Sequence, residues 1–88
     1  MISVESIDSN SFSVSVTKDS VTEHIVLLSD RFHQDVTNNK LTKTELITKS
    51  FEFLLKRESN QSILKKFNLE IISQYFPEYI EEIKKIIL

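Results

Sequence analysis

The chain of 88 residues contains no glycine and no cysteine, and it has a single proline. Phosphate-binding loops use glycine so that the backbone can approach the anion closely, so P-loop and dinucleotide-binding fingerprints are excluded. The lack of cysteine excludes a disulfide framework, a thiolate metal site and a cysteine nucleophile, and it suits a reducing cytoplasm. Turns that need positive φ must use asparagine or aspartate instead. The candidates for such turns are Asn10, Asp19, Asn38, Asn39, Asn60 and Asn68.

Long apolar runs and a strong charge of one sign are also missing. No apolar run approaches the ~20 residues that a membrane-spanning helix needs, and the first five residues lack the basic start of a signal peptide. The net charge of −2 gives no general attraction to nucleic acid or acidic lipid. With 40% hydrophobic and 27% charged residues, the composition is typical of a globular domain. We expect one cytoplasmic domain over residues 1–88, not bound to a membrane.

The first third of the chain alternates between apolar and polar residues, which is the period of half-buried strands. Residues 11–17 and 21–28 form a predicted antiparallel hairpin, and residues 2–7 are a candidate third strand. Polar residues at 8–10 and 18–20 supply the turns. The strand register is not determined by this pattern.

A polar segment separates the predicted strands from the predicted helices. Ser29 or Asp30 can cap a short helical turn that buries Phe32. Residues 37–40 then read as a loop.

The clearest helix signal lies at Thr42. Thr42 and Glu45 have the spacing of a capping box, and Leu41 and Leu46 occupy the two positions of a hydrophobic staple. Both patterns predict a helix that begins immediately after Thr42. The predicted apolar face of this helix comprises Leu46, Ile47, Phe51, Phe53, Leu54 and Leu55.

Three shorter helical patterns follow in the sequence. We predict a helix over 61–67 capped by Ser59 or Asn60, a helix over 69–75 capped by Asn68, and a last helix over 77–88. The first of these would direct Ile63, Leu64 and Phe67 inward. The predicted fold class is therefore α+β: an N-terminal antiparallel β-hairpin or three-stranded sheet followed by three to four α-helices packed on one face.

Several motifs of the second half stand close together: SFEFLLKRE at 50–58, SIL at 62–64, FNL at 67–69 and YFPEY at 75–79. Together with His24-Ile25-Val26, they resemble a family of small bacterial proteins of unknown function that begin with a short hairpin containing a His-x-Val step. The resemblance spans roughly residues 12–83, and Asn68 stands where such proteins tend to have aspartate. It implies an N-terminal hairpin and carries no activity, so no functional residue is transferred.

His24 and His33 are the two imidazoles of the chain. Zinc sites need at least three protein ligands, so two histidines without cysteine do not indicate a metal site. Asp35 places a carboxylate near His33, but no nucleophile stands out beside them. We therefore single out no catalytic, cofactor-binding or metal-ligating residue, and we interpret both histidines as surface or strand residues.

The basic residues are concentrated at Lys56, Arg57, Lys65 and Lys66. If the turn at 59–60 folded two helices together, these residues would form a patch able to contact phosphates. Neighbouring acidic residues offset part of this charge, and charged faces of amphipathic helices are normally solvated. Nucleic-acid binding is therefore not expected.

The candidate interaction surface consists of aromatic and aliphatic residues near the C-terminus. Its members are Tyr75, Phe76, Tyr79, Ile83 and Ile87. Aromatic residues with a polar tip are favoured in protein interfaces. The alternative for residues 75–79, which we prefer, is a packed corner between the last two helices. The cluster of Ile83, Ile86, Ile87 and Leu88 either packs on the sheet or is partly exposed and covered by a partner.

The sequence thus predicts a non-catalytic protein-interaction or regulatory module. We expect a protein partner or a homodimer that uses the last helix. The first alternative is a nucleic-acid-associated, antitoxin-like regulator, and the second is a small enzyme with acid–base chemistry at His33 or His24. A basic stripe free of acidic residues would favour the former, and a pocket that joins histidine to carboxylates would favour the latter.

Overall fold

The computed structural model describes residues 1–87 and places three antiparallel strands at the N-terminus. They are β1 (Ile2–Ser6), β2 (Ser11–Thr17) and β3 (Val21–Leu27). The predicted hairpin is confirmed, and the candidate strand over residues 2–7 is present as β1. In the register, Val14 of β2 lies between Val4 of β1 and His24 of β3.

The remaining elements are mainly helical. They are α1 (Asp30–Thr37), α2 (Lys43–Leu55), a 3-10 turn (Asn60–Ser62), β4 (Lys66–Asn68), a second 3-10 turn (Leu69–Ile71), α3 (Ile72–Tyr75) and α4 (Tyr79–Ile87). Strand β4 pairs in parallel with β3, so the sheet is mixed, with the order β1-β2-β3-β4. The predicted α+β class is confirmed. Within residues 1–87, no helix combines the length and apolar character needed to cross a membrane.

Helices α1 and α2 begin where the sequence predicts. Ser29 Oγ accepts a hydrogen bond from the backbone N–H of Phe32 at 3.1 Å, which caps α1. Thr42 Oγ1 accepts from the N–H of Glu45 at 3.1 Å, and the Glu45 carboxylate accepts from the N–H of Thr42 at 2.9 Å. This is the complete capping box, so the predicted start of α2 is confirmed.

Helix α1 ends in an asparagine pair that replaces the usual glycine. Asn38 and Asn39 have φ values of 50° and 61°, and the N–H of Asn38 donates to the Gln34 carbonyl at 2.7 Å. Asparagine tolerates this left-handed conformation better than most residues, which explains how a chain without glycine ends the helix. Within residues 1–87, the other asparagine and aspartate candidates for positive φ do not adopt it.

A single hydrophobic cluster joins the sheet to the helices. Its strand members are Phe12, Val14, Val16, Val26 and Phe67, and its α-helix members are Val36, Leu46, Ile47, Phe51, Phe53, Leu54, Ile72, Tyr79 and Ile83. The serines of β2 occupy the opposite face of the sheet, because side chains alternate between faces along a strand. The predicted apolar face of α2 therefore packs in the core.

The predicted helix over 61–67 is wrong. The chain makes a three-residue 3-10 turn and then extends into β4, where Phe67 pairs with Val26 of β3. Ile63 and Phe67 are buried as predicted, but they reach the core from extended backbone. The N–H of Ile25 donates to the Lys65 carbonyl at 2.7 Å, so pairing with the free edge of β3 satisfies the backbone better than an isolated short helix would.

The last two helices are shorter than predicted. The segment 69–75 begins as a 3-10 turn, and the Asn68 side chain makes no cap hydrogen bond within the described chain, so that predicted cap is wrong. Helix α4 begins at Tyr79, and Pro77 lies in the turn before it. Leu88, the predicted end of this helix, lies outside the described residues.

Candidate interaction groove

A groove of about 270 Å³ opens between the end of α2, the residues around β4, and α3. Its lining includes the buried side chains Leu54, Ile63, Phe67 and Ile72 and the exposed side chains Leu64 and Tyr75. We call this feature the apolar groove. Small-molecule sites usually enclose about 300–1,000 Å³, so the volume suits one or two apolar side chains better than a whole cofactor.

Two large side chains at the apolar groove remain accessible to solvent. Leu64 is 46% exposed and Tyr75 is 64% exposed. Single exposed apolar residues are normal on a protein surface, but a contiguous set next to a groove indicates a contact site. Glu58 also lines the groove and is the one charged residue of its lining.

A chain of buried polar side chains holds the segment 60–65, which forms part of the groove. The Asn60 amide donates to the Ser20 carbonyl at 3.0 Å and to Thr22 Oγ1 at 3.1 Å. Thr22 Oγ1 lies 3.0 Å from His24 Nε2, and His24 Nδ1 lies 2.7 Å from the carbonyl oxygen of Leu64. These contacts join β3 to both ends of the segment.

The directions of these hydrogen bonds follow from the groups themselves. A carbonyl oxygen only accepts, so Nδ1 of His24 carries a hydrogen and donates it to Leu64. In the neutral ring Nε2 is then an acceptor, and it receives the hydroxyl hydrogen of Thr22. Thr22 in turn accepts from Asn60. We call this ordered series the Asn60–His24 chain.

The surroundings of His24 favour its neutral form. The side chain is 1% exposed, and its ring lies 5.4 Å from the ring of Phe51 between centroids. Burial lowers the pKa of His24 below its ordinary value of 6.5, the hydrogen bond to the Leu64 carbonyl opposes this, and the Lys65 ammonium lowers the pKa further. His24 is a buried strand residue that organises neighbouring backbone.

The second imidazole also has a structural partner. His33 Nε2 lies 2.5 Å from the carbonyl oxygen of Leu41, so it donates to the backbone just before α2. This contact links α1 to the start of α2. Among the described residues, neither imidazole lines the apolar groove, and no group of three or more histidine, aspartate or glutamate side chains could hold a metal ion.

One residue of the basic cluster, Arg57, forms an ion pair. Arg57 Nε lies 3.2 Å from the carboxylate of Glu78, and the guanidinium stands 3.6 Å from the centroid of the Phe53 ring. Lys56, Lys65 and Lys66 are exposed. Arg57 therefore contributes to the packing of α2 against the turn before α4, and its charge is already matched by a carboxylate.

The five residues of the predicted interaction surface have different environments. Tyr75 is exposed and Phe76 is half-buried, and both line the apolar groove. Ile87 is half-buried against the core. Tyr79 and Ile83 are completely buried, so these two residues belong to the core and present no surface to a partner. Ile86 of the same helix is 53% exposed.

Tyr79 illustrates the packed-corner alternative. Its hydroxyl lies 2.5 Å from Ser50 Oγ, which donates to the Leu46 carbonyl at 2.7 Å. The Tyr79 hydroxyl is therefore the donor to Ser50. The Tyr79 ring lies 5.3 Å from the ring of Phe53 in an edge arrangement, and burial raises the pKa of Tyr79. The aromatic motif anchors α4 on α2 through Tyr79 and leaves Tyr75 at the groove.

Sequence reasoning missed Leu64, Asn60 and Thr22. The sequence predicts Leu64 on the inward face of a helix that does not form, and it predicts Asn60 as a helix cap. A signal was available in β3, because Thr22 and His24 occupy alternate positions that share a face with Val26. Polar residues on the buried face of a strand require partners, and Asn60 and the Leu64 carbonyl are those partners.

Searches of protein-family models, curated proteins and solved structures find no match to this chain. The resemblance of residues 12–83 to a family of small bacterial proteins stays a prediction. The function is therefore argued from the apolar groove and the side chains that build it.

Proposed function

We propose that the protein is a small non-catalytic interaction module that binds a partner protein in the apolar groove. The observation that carries this proposal is the pair of exposed side chains, Leu64 and Tyr75, beside a lining of buried apolar residues. Covering such surface is favourable by about 25 cal/mol per Å² of apolar area. Tyrosine is among the residues that most often supply binding energy in interfaces.

The dimensions of the groove suggest the form of the partner. A volume of about 270 Å³ accommodates one or two apolar side chains from one face of an amphipathic segment. Helices recognised in this way present apolar anchors at positions i, i+3 or i+4, and i+7. Glu58 adds a site for a lysine or arginine beside those anchors. We therefore propose an amphipathic, basic helix as the bound segment.

The proposed setting is a small cytoplasmic protein complex of which this chain is one half. A homodimer through the last helix is the second candidate, and the exposed side chain of Ile86 favours it. The nucleic-acid alternative loses support, because Arg57 is paired with Glu78. Acid–base chemistry at His24 or His33 loses support, because both imidazoles hold backbone carbonyls.

Selection of peptides on the folded protein tests the proposal without a known partner. Random peptides of about 16 residues would be displayed and selected on wild-type protein, and the enriched sequences measured by fluorescence anisotropy. Leu64→Glu and Tyr75→Glu remove the exposed apolar contacts of the groove. Val21→Glu is the matched control, because Val21 is 65% exposed and lies outside the groove lining.

We expect the selected peptides to carry apolar residues at helical spacing next to lysine or arginine. Each groove variant should weaken their binding by about tenfold or more, which corresponds to about 1.4 kcal/mol, and Val21→Glu should leave it unchanged. Equal binding to wild type and both groove variants would overturn the proposal. So would a selection that enriches no peptide above the level seen with the double groove variant.

A further inference from the structure

His24 is enclosed by groups from several elements, and their charges decide how it responds to protons. Phe51 of α2 packs on its ring, and Val14 is its partner on β2. Lys65 is the charged residue whose field acts on the imidazole. On β3 the neighbouring Glu23 points to the opposite face of the sheet, as Lys66 does on β4 by its register.

A proton added to His24 strengthens one link of the Asn60–His24 chain and disturbs the other. The bond from Nδ1 to the Leu64 carbonyl becomes charge-assisted, which favours the proton. In the imidazolium both ring nitrogens are donors, so Nε2 no longer accepts the hydroxyl hydrogen of Thr22. Thr22 Oγ1 already accepts from Asn60, and its own hydrogen loses the acceptor it had. A buried positive charge is created at the same time. Both changes cost free energy in a buried site, and this cost exceeds the gain at the Leu64 carbonyl, because burial is the largest influence on the pKa of His24 and lowers it.

Among the groups that enclose His24, we expect the segment 60–65 to open at the lowest free energy. The other sides of the imidazole are formed by α2 and β2, which each contribute several residues to the hydrophobic core, whereas Ile63 is the one member of the core within residues 60–65. The segment is held by a three-residue 3-10 turn, the three-residue β4 and the polar chain itself. Short elements with few apolar contacts open at lower free energy than the core does.

From this geometry we propose that the Asn60–His24 chain is a pH-sensitive latch on the apolar groove. With a neutral imidazole the latch holds Ile63 and Leu64 in the groove lining. Protonation of His24 releases the segment 60–65, removes these side chains from the lining and weakens partner binding. The effect on binding rests on the proposed function, whereas the movement of the segment does not.

The latch is closed at neutral pH and opens in acid. The desolvation described above keeps the pKa of His24 below 6.5, so the imidazole is neutral wherever a free histidine is mostly neutral. Linkage requires a reciprocal effect. A ligand that needs the closed groove must lower the proton affinity of His24 by the same factor as protonation weakens the ligand.

An NMR titration of wild-type protein tests the movement directly. The imidazole resonances of His24 and the hydrogen-exchange protection of the Ile25 amide, which donates to the Lys65 carbonyl, would be followed from about pH 8 to about pH 5, the range in which histidines change charge. We expect this protection to fall with the midpoint of His24. His33→Gln is the control, because it removes the other imidazole and should leave this titration unchanged. His24→Gln should abolish it.

A second arm measures the effect on binding with a peptide selected at neutral pH. Its affinity should fall by about tenfold or more on protonation of His24, and saturating peptide should lower the His24 midpoint by about one pH unit for each tenfold. An Ile25 amide whose protection does not change with the charge of His24 would overturn the latch, even if peptide binds. If its protection follows His24 but no peptide is selected at any pH, the latch stands and the proposed partner-binding function fails.

Discussion

Helix α2 lies beside two contacts that are stabilised by different kinds of interaction. The contact with α4 consists of aromatic rings, with Phe53 against Tyr79 at 5.3 Å and one hydrogen bond from Tyr79 to Ser50. The second contact, between β3 and the segment 60–65, lies beside Phe51 of α2. It depends on hydrogen bonds that run from the Asn60 amide to the Thr22 hydroxyl and from there to the His24 imidazole. The first contact is stabilised mainly by buried apolar area, and the second by correctly placed hydrogens.

The two contacts therefore differ in how they respond to pH: the first is fixed, and the second is adjustable. Burial raises the pKa of Tyr79, so the α2–α4 contact keeps its charge state at any physiological pH. The contact at His24 contains a group that titrates near neutrality in water. The apolar groove lies where the two parts meet, since Leu54 comes from α2 and Leu64 from the adjustable segment. A partner bound in the apolar groove would therefore contact residues of both parts.

The largest expected effect comes from removing the aromatic core beneath both contacts. Phe51→Ala and Tyr79→Ala should each lower the free energy of unfolding by about 3–5 kcal/mol, because both side chains are completely buried. For a domain of ordinary stability, about 5–15 kcal/mol, either change leaves little margin. Urea denaturation followed by circular dichroism measures this. Unchanged midpoints would show that these rings are not the core.

Breaking the polar contact should cost less. Asn60→Ala leaves the Ser20 carbonyl and Thr22 Oγ1 without their shared donor, and we expect a loss of about 1–3 kcal/mol. The matched control is Gln61→Ala, since Gln61 donates to Ser20 Oγ at 3.0 Å from an exposed position. That change should stay within about 0.5 kcal/mol. Equal effects of the two substitutions would remove the case for a buried polar contact.

The contrast between the two regions also explains what the sequence could predict. The start of α2 is encoded within four residues, because Thr42 and Glu45 satisfy each other's backbone groups, and the prediction is confirmed. The segment 61–67 has no comparable local signal. Ile63 and Phe67 are four residues apart, which suits one face of a helix, yet both also reach the core from extended backbone.

The conformation of residues 61–67 is determined by residues that are distant in sequence. The N–H of Ile25 receives its acceptor from Lys65, and His24 reaches the Leu64 carbonyl across 40 residues. No local pattern contains this pairing, so β4 and the apolar groove beside it could not be predicted. The aromatic motif at 75–79 was a partial guide, because it contains both the buried Tyr79 and the exposed Tyr75.

The capping box supplies a smaller test of a purely local signal. Thr42→Ala should destabilise the protein by about 0.5–2 kcal/mol, because it removes the acceptor of the Glu45 N–H. Thr44→Ala, an exposed position in the same first turn, should change stability by less than about 0.5 kcal/mol. Chemical denaturation of both variants measures the difference. If the two variants were equally stable, the cap would contribute nothing.

The smallest effect is expected at the polar end of the aromatic contact. Tyr79→Phe keeps the ring and loses the hydrogen bond to Ser50, whose hydroxyl retains the Leu46 carbonyl as acceptor. We expect a loss of about 0.5–1.5 kcal/mol that does not vary between about pH 5 and pH 8. Thermal unfolding at several pH values would detect it. A loss as large as that of Tyr79→Ala would mean that the hydroxyl dominates this contact.

The central claim is that protonation of His24 weakens the contact between β3 and the segment 60–65. The pH dependence of unfolding tests this claim most directly. The folded-state pKa of His24 lies below its unfolded value of 6.5, so its contribution to stability is complete above that pH and is lost as the pH falls. The carboxylates of Asp8, Asp30, Glu45 and Glu78 also have pKa values below their ordinary 3.8 and 4.5, so their contributions are lost only in more acidic solution, and a His24→Gln control shares them.

The measurement is the free energy of unfolding of wild type and His24→Gln from about pH 8 to about pH 5. The wild-type value should fall below pH 6.5 more steeply than that of His24→Gln, and the two curves should be parallel above it. Curves that stay parallel through the whole range would contradict the account, because His24 would then have the same proton affinity in the folded and unfolded chains.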